Sequence, residues 1–273
     1  MKSKTWNGIL ISLTLFFVIV LSLASCSKKE IDTSVKPGNE GFVLGNGSIG
    51  VVLTHGLGAS PYEVKGLAEY LAARNLTVYV VRLPGHGTSL EDVDGTIWED
   101  WYKSYHEAYL SIKPLKQKVF VGGMSLGGSL ALKLAEDEKV DGIISLAPAL
   151  IMDDSRTKYA WVFKYFSKYS NRNISKEELP YYYPKFSIKT VAEMMSLSDV
   201  VVRDLNKINQ PLFLMQYNKD HRVSPESSRL VYDEVTSQKK EMVWLNGTGH
   251  VMLLNNDKET AFEKIYVFIK SNS

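Results

Sequence analysis

From Ser48 onward the apolar residues fall into two alternating kinds of run. The first kind is short and nearly unbroken: "SIGVVLTHG" (48–56), "LTVYVVRLPG" (76–85), "QKVFVGG" (117–123), "VDGIISLAP" (140–148), "PLFLMQYN" (211–218) and "EMVWLNG" (241–247). Continuous apolar runs of this length, bounded by turn residues, predict strands buried on both faces. The second kind has helical spacing. "SPYEVKGLAEYLAAR" (60–74) carries a stripe of Val64, Leu67, Ala68, Leu71 and Ala72. Its start predicts Ser60 as N-cap, Pro61 in the first turn and Glu63 closing a capping box. Further helices are predicted over about 98–112, after Ser125, over about 225–236 and over about 257–270. Strands alternating with helices imply parallel pairing and a sheet covered on both sides.

Three stretches depart from this rhythm. Residues 149–209 hold no convincing buried strand but many aromatics, as in "KYAWVFKYFSKY" and "LPYYYPKF". So long a structureless loop is improbable, so a small helical cap over the sheet is expected. Its aromatics (159–169 and 181–183) either line an acyl pocket or form the cap's own core. Residues 26–42 are polar and aperiodic, and read as a flexible tether. Residues 1–25 contain a basic start, "MKSKTWNG", and an apolar run, "ILISLTLFFVIVLSLA" (9–24), ending at "LASC". That pattern resembles the lipobox of a bacterial lipoprotein, in which Cys26 is acylated and becomes the new N-terminus. An uncleaved anchor is the alternative, although the run is short of the roughly 20 residues a span needs. Either way the expectation is an exported protein tethered to a membrane of the bacterial envelope. The domain plan is therefore a signal segment (1–25), a tether (26–42), a core (43–148 and 210–273) and a cap (149–209).

Composition adds little. The chain has 273 residues, 32 basic and 30 acidic. Lys2 and Lys4 are the only charges of the leader, so the remainder is balanced, with no electrostatic invitation to nucleic acid. Cys26 is the single cysteine, which excludes disulfides, a second thiol and Cys-based metal sites.

Chemistry concentrates at "VFVGGMSLGGSLALKLA" (119–135). By itself G-x-S-x-G is a weak signal. Here it lies between a buried strand and a helix, the context of a nucleophile elbow. The tight bend needs neighbours without bulk, which Gly123 and Gly127 provide, and the helix directs its first amides at Ser125. A serine nucleophile needs a base, and the base needs an orienting carboxylate. In doubly wound hydrolases these follow in the order acid, then histidine, at later strand ends. His55, His86 and His106 precede the serine, and His106 falls on a solvated helix face. "NGTGHVML" places His250 just past a strand, in a glycine loop. "PLFLMQYNKDHRVSP" puts Asp220 past the preceding strand, with His221 as its neighbour. The oxyanion hole needs two backbone N–H groups, one from Leu126 and one from Leu57 in "THGLGAS". A phosphate cradle is disfavoured, because "GLGASP" lacks the G-x-G-x-x-G spacing and no Walker lysine follows.

The set "VVLTHGLGAS", "RLPGHGTSLED", "GGMSLGG", "NKDHRVSP" and "GTGHV" resembles the α/β-hydrolase superfamily, in its bacterial carboxylesterase and monoacylglycerol lipase branch. The likeness covers about residues 42–271. It implies a mostly parallel sheet with helices on both faces and a small cap. It also implies a serine esterase acting on carboxylic esters or monoglycerides without metal or cofactor. Carried over, Ser125, Asp220 and His250 match the triad and Leu57 and Leu126 the oxyanion positions; His86 in "PGHG" is structural. Thioesterase, peptidase or acyltransferase chemistry on the same triad, or a non-catalytic surface lipoprotein, are the alternatives.

Overall fold

In a computed structural model, residues 31–172, 174–176 and 178–273 are described, and residues 32–273 form one compact unit. Cys26, the expected signal segment and the start of the expected tether lie outside the described residues. Seven strands form the main sheet: β1 (Phe42–Leu44), β2 (Ile49–Thr54), β3 (Thr77–Val81), β4 (Lys118–Met124), β5 (Gly142–Leu146), β8 (Leu212–Asp220) and β9 (Lys240–Gly249). Their order across the sheet is β1-β3-β2-β4-β5-β8-β9. All pairings are parallel except β1 with β3, where Phe42 faces Val80. The sheet is therefore mostly parallel, and its antiparallel edge comes from a strand too short to leave a periodic trace.

Alternation along the strands splits the core in two. Val51, Leu53, Phe120, Ile144 and Phe213 face α1 (Tyr62–Ala72) and the final helix α8 (Lys258–Asn272). Val52, Val121, Ile143, Leu212 and Leu214 face the other way, into the layer holding α3 (Trp98–Ile112) and α4 (Leu126–Asp137). In α3 the three-and-four spacing buries Trp101, Tyr105 and Tyr109. Tyr105 also accepts from the Gly122 amide at 2.8 Å and shares its one proton between the carbonyls of Val52 and Gly122, joining helix to sheet. A short α2 (Leu90–Asp94) precedes α3, capped by Ser89, which accepts from the Asp92 amide. His106, expected in solvent, is half-buried against the Glu138 carboxylate at 3.0 Å.

The expected cap segment divides in two. Its first part contains a 3₁₀ turn (Ser155–Tyr159), α5 (Ala160–Phe163) and an antiparallel hairpin of β6 (Tyr169–Asn171) with β7 (Lys185–Ser187). Its last third is α6 (Ile188–Asp204), which packs Met194, Leu197 and Val201 into the main core and also carries the rest of the cap segment against it. The segment expected as a flexible tether is ordered in its last part. The Lys36 amide donates to the Gly87 carbonyl and Asn39 is buried, with its side chain on the Pro180 carbonyl, so the chain is fixed from about residue 36. Helix α7 (Glu226–Glu234) follows β8.

One core charge makes a stability test. The Glu136 carboxylate sits against Lys133 at 3.5 Å, and burial, partly offset by Lys133, pushes its pKa up to about 8. A raised acid stabilises the fold while protonated there, and that contribution disappears as pH rises through the folded value. Glu136→Gln should therefore raise Tm at about pH 9 and leave it unchanged near pH 4, in thermal scans at both values.

Candidate active site

The turn after β4 sets the site. Ser125 adopts φ 55° and ψ −112°, a left-handed region disfavoured for residues with a Cβ. The bend is held by its own amide, which donates to Leu146 at 2.8 Å, and by its carbonyl, which accepts from Ser129 and Ala149. A Cβ on Gly123 would lie 2.6 Å from the Gly127 carbon and the Thr54 oxygen; one on Gly127 would lie 2.5 Å from the Thr54 oxygen. Only glycines allow β4, α4 and the end of β2 to meet this closely, and that meeting forces the serine outward.

The acid and histidine come from the far edge. β8 and β9 run on together through a bulge near Tyr217, until Asp220 pairs with Gly249. What reads as a glycine loop is thus the end of a strand, and it delivers His250 one residue beyond the register partner of Asp220. The His250 Nδ1 lies 2.8 Å from Asp220 Oδ2. Asp220 Oδ1 accepts from the Arg222 and Val223 amides at 2.9 and 3.2 Å. Burial alone would raise the pKa of this carboxylate, but the bonds from His250 and the two amides outweigh it and hold it below the ordinary value. An ionised Asp220 accepts the Nδ1–H, leaving Nε2 as the free lone pair.

Ser125 and His250 line one cavity of about 490 Å³, together with Leu57, Met152, Phe163, Phe186, Val191 and Met194. No hydrogen bond joins Ser125 Oγ to His250 among the described residues, a separation common in unliganded sites. The walls are mostly apolar, with Glu63, Asp154, Arg156, Arg172 and Arg222 as the charged intrusions. The Leu57 and Leu126 N–H groups have no protein partner among the described residues; Leu126 opens α4, and Leu57 lies beside the cavity.

His86 and His55 serve structure. His86 is buried, bonded at Nδ1 to the Pro84 carbonyl, packed against Trp101, and burial holds its pKa down at about 4. His55 Nε2 accepts the Leu83 N–H at 3.3 Å, so its proton is on Nδ1, which donates to the Gly56 carbonyl at 2.9 Å. His221 lines the cavity but points to no partner in the Asp220 pair.

The sequence pattern predicts Glu63 as part of a helix capping box. The N-cap is Pro61 with no side-chain bond, and the Glu63 carboxylate turns inward to the Gly56 amide at 2.6 Å. The cap aromatics divide three ways: Phe163 lines the cavity, Tyr182 and Tyr183 are buried with their hydroxyls on Glu63 and on the Gly85–Thr88 turn, and Trp161, Tyr165 and Phe166 are exposed. Spacing gave no hint of this division, nor of Arg172 and Arg222.

A mostly parallel sheet with a strained serine at a central strand end, and an acid and histidine at the ends of the two strands beyond β5, defines an α/β-hydrolase. The family described as serine aminopeptidase, S33, matches residues 48–259, and the chain belongs to it. It is 31% identical over 246 residues to a thermostable monoacylglycerol lipase of Bacillus sp., covering 88% of this chain and 97% of that one. It is 26% identical to a carboxylesterase of Bacillus subtilis, covering 84% and 95%. A solved structure from the metagenome-derived lipolytic enzymes LipS and LipT superposes with a TM-score of 0.82 at 28% identity, covering 87% of this chain and 100% of that one.

The crowding at the turn makes a direct test. Gly127→Ala should destabilise the protein by about 1–3 kcal/mol or prevent folding, as overpacking does. Urea unfolding measures it, and wild-type stability in that variant would contradict the close approach.

Proposed function

We propose that Ser125, Asp220 and His250 form the catalytic triad of a serine carboxylic-ester hydrolase, with the Leu57 and Leu126 amides as the oxyanion hole. The chain is an ester-hydrolysing enzyme of the α/β-hydrolase fold. The observation that carries the site assignment is the His250–Asp220 bond beside a strained Ser125 on the wall of one apolar cavity.

In this reading His250 Nε2 takes the Ser125 proton as Oγ attacks the ester carbonyl. The carbonyl pair moves onto oxygen, where Leu57 and Leu126 donate to it; one such donor lowers the barrier by roughly 3–4 kcal/mol. The tetrahedral intermediate collapses, its C–O bond breaks, and His250 gives its proton to the departing alcohol. Water, deprotonated by His250, then releases the acid from the acyl-serine. Asp220 fixes the tautomer and stabilises the imidazolium.

The substrate class follows from the walls. Met152, Phe163, Phe186, Ile188, Val191 and Met194 suit an acyl chain, as in short- to medium-chain esters or monoglycerides. An aminopeptidase needs a free carboxylate for the substrate's ammonium group. The cavity's carboxylates are engaged, Glu63 with Gly56 and Tyr182, Asp154 with Arg156, which favours the ester. Acylated Cys26 would hold the enzyme at an envelope membrane, where lipid esters are met; the basic start and apolar run before it support this part.

Wild type should hydrolyse p-nitrophenyl esters and monoglycerides and react with a fluorophosphonate probe, while Ser125→Ala does neither. Equal labelling or turnover by that variant would remove Ser125 from the chemistry. Cys26→Ser should shift the protein out of the membrane fraction on cell fractionation; an unchanged distribution would dismiss the lipid anchor.

A further inference from the structure

The loop that offers Leu57 to the site is held from three sides. The Gly56 amide donates to Glu63 Oε2 at 2.6 Å, and the Gly56 carbonyl accepts from His55. The Leu57 and Gly58 carbonyls accept from Arg172 Nη1 at 3.4 and 3.1 Å, and Gly58 also accepts from the Tyr183 amide at 2.9 Å. Those bonds commit the Gly56 amide and the carbonyls of Gly56, Leu57 and Gly58, while the Leu57 N–H has no partner among the described residues.

Glu63 is an awkward residue to find there. It is buried and lines the catalytic cavity, and a Cβ on Gly56 would touch both its Oε2 (3.2 Å) and the Ser125 Cβ (3.3 Å). A carboxylate so near a developing oxyanion opposes it unless neutralised. Two cap residues supply the compensation. Tyr182 donates its hydroxyl to Glu63 Oε1 at 3.1 Å. Arg172 lies with its guanidinium 4.6 Å from the Tyr182 ring centroid and 4.8 Å from that of Phe186. Burial, then Arg222, lowers the Arg172 pKa only to about 10, so the guanidinium is charged at neutral pH.

We infer that Glu63 is a positioning residue for the oxyanion loop, and that its bridge through Tyr182 and Arg172 makes the hole depend on the cap being seated. The inference rests on the serine-esterase reading above. Glu63 fixes the peptide plane joining His55 to Gly56, one peptide before the plane that carries the Leu57 N–H. Its loss frees the first plane to turn and takes the Leu57 N–H out of line. With the cap displaced, the loop loses Arg172, Tyr182 and Tyr183 together, and the hole is disassembled before any substrate bond is touched.

The test separates positioning from binding. Glu63→Ala should lower kcat about 10- to 100-fold with KM little changed, because misplacing a donor by an ångström costs on that scale. A trifluoromethyl ketone, which forms a tetrahedral adduct on Ser125, should lose affinity by the same factor as kcat/KM. Glu63→Gln, whose amide oxygen still accepts from Gly56, should recover most of the loss, and Tyr182→Phe should lose several-fold in kcat and ketone affinity in parallel. Wild-type kcat in a folded Glu63→Ala, or a loss confined to KM with ketone affinity intact, would overturn the inference. If Glu63→Ala does not fold, Tyr182→Phe decides: unchanged kcat and ketone affinity would overturn it equally. Wild type that fails to label with fluorophosphonate would instead sink the esterase reading, so the two failures are distinguishable.

Discussion

The backbone of Ser125 sits in a conformation that costs about 1–3 kcal/mol, and the surrounding structure exists in a form that makes this conformation the only one available. β4 must end within contact of β2, and α4 must begin within contact of both, so any side chain at Gly123 or Gly127 would strike the Thr54 carbonyl. The amide and carbonyl of Ser125 are then tied to β5 and the chain after it, through Leu146 and Ala149. A hydroxyl raised on such a turn has little freedom, and the two flanking strand ends inherit a fixed point around which to place the other groups.

That fixed point explains why the remaining residues lie where they do. Parallel strands end at the same edge, so the loop after β2, the turn after β4 and the ends of β8 and β9 all open on one rim. The acid and the histidine need no loop to find each other: strand register alone, Asp220 opposite Gly249, brings them within hydrogen-bond reach. Rigid pairing also limits what they can do alone, because the distance from His250 to the serine is set by the sheet and not by the pair.

The sequence made the groups that obey backbone rules legible. Ser125 declared itself through glycines that the turn requires, and Asp220 and His250 through their places after buried strands. Helix α6 fell within the expected helical cap, but its bounds and its packing into the main core stayed hidden, because Val200, Val201 and Val202 weaken the helical signal and it lies within an aromatic-rich segment. β1 and the β6–β7 hairpin are three-residue strands, below any usable period. Arg172 was illegible for another reason: its partners are backbone carbonyls more than a hundred residues away, and no local pattern encodes a contact of that span.

Glu63 shows a deeper ambiguity. A carboxylate three residues after a serine, at the start of a helix, satisfies the capping-box pattern, yet the same carboxylate is near enough to reach back to the Gly56 amide. Local rules favour whichever unpaired amide is closest in sequence, while the fold offers one that is buried. A buried N–H left unpaired costs more than an exposed one that water can satisfy, so the tertiary partner wins. The first turn of α1 is left without a side-chain cap, and the carboxylate goes to the loop beside the serine. Where a strong local motif is forgone in this way, the residue that forgoes it marks a place where the site's geometry outweighs the stability of its own helix.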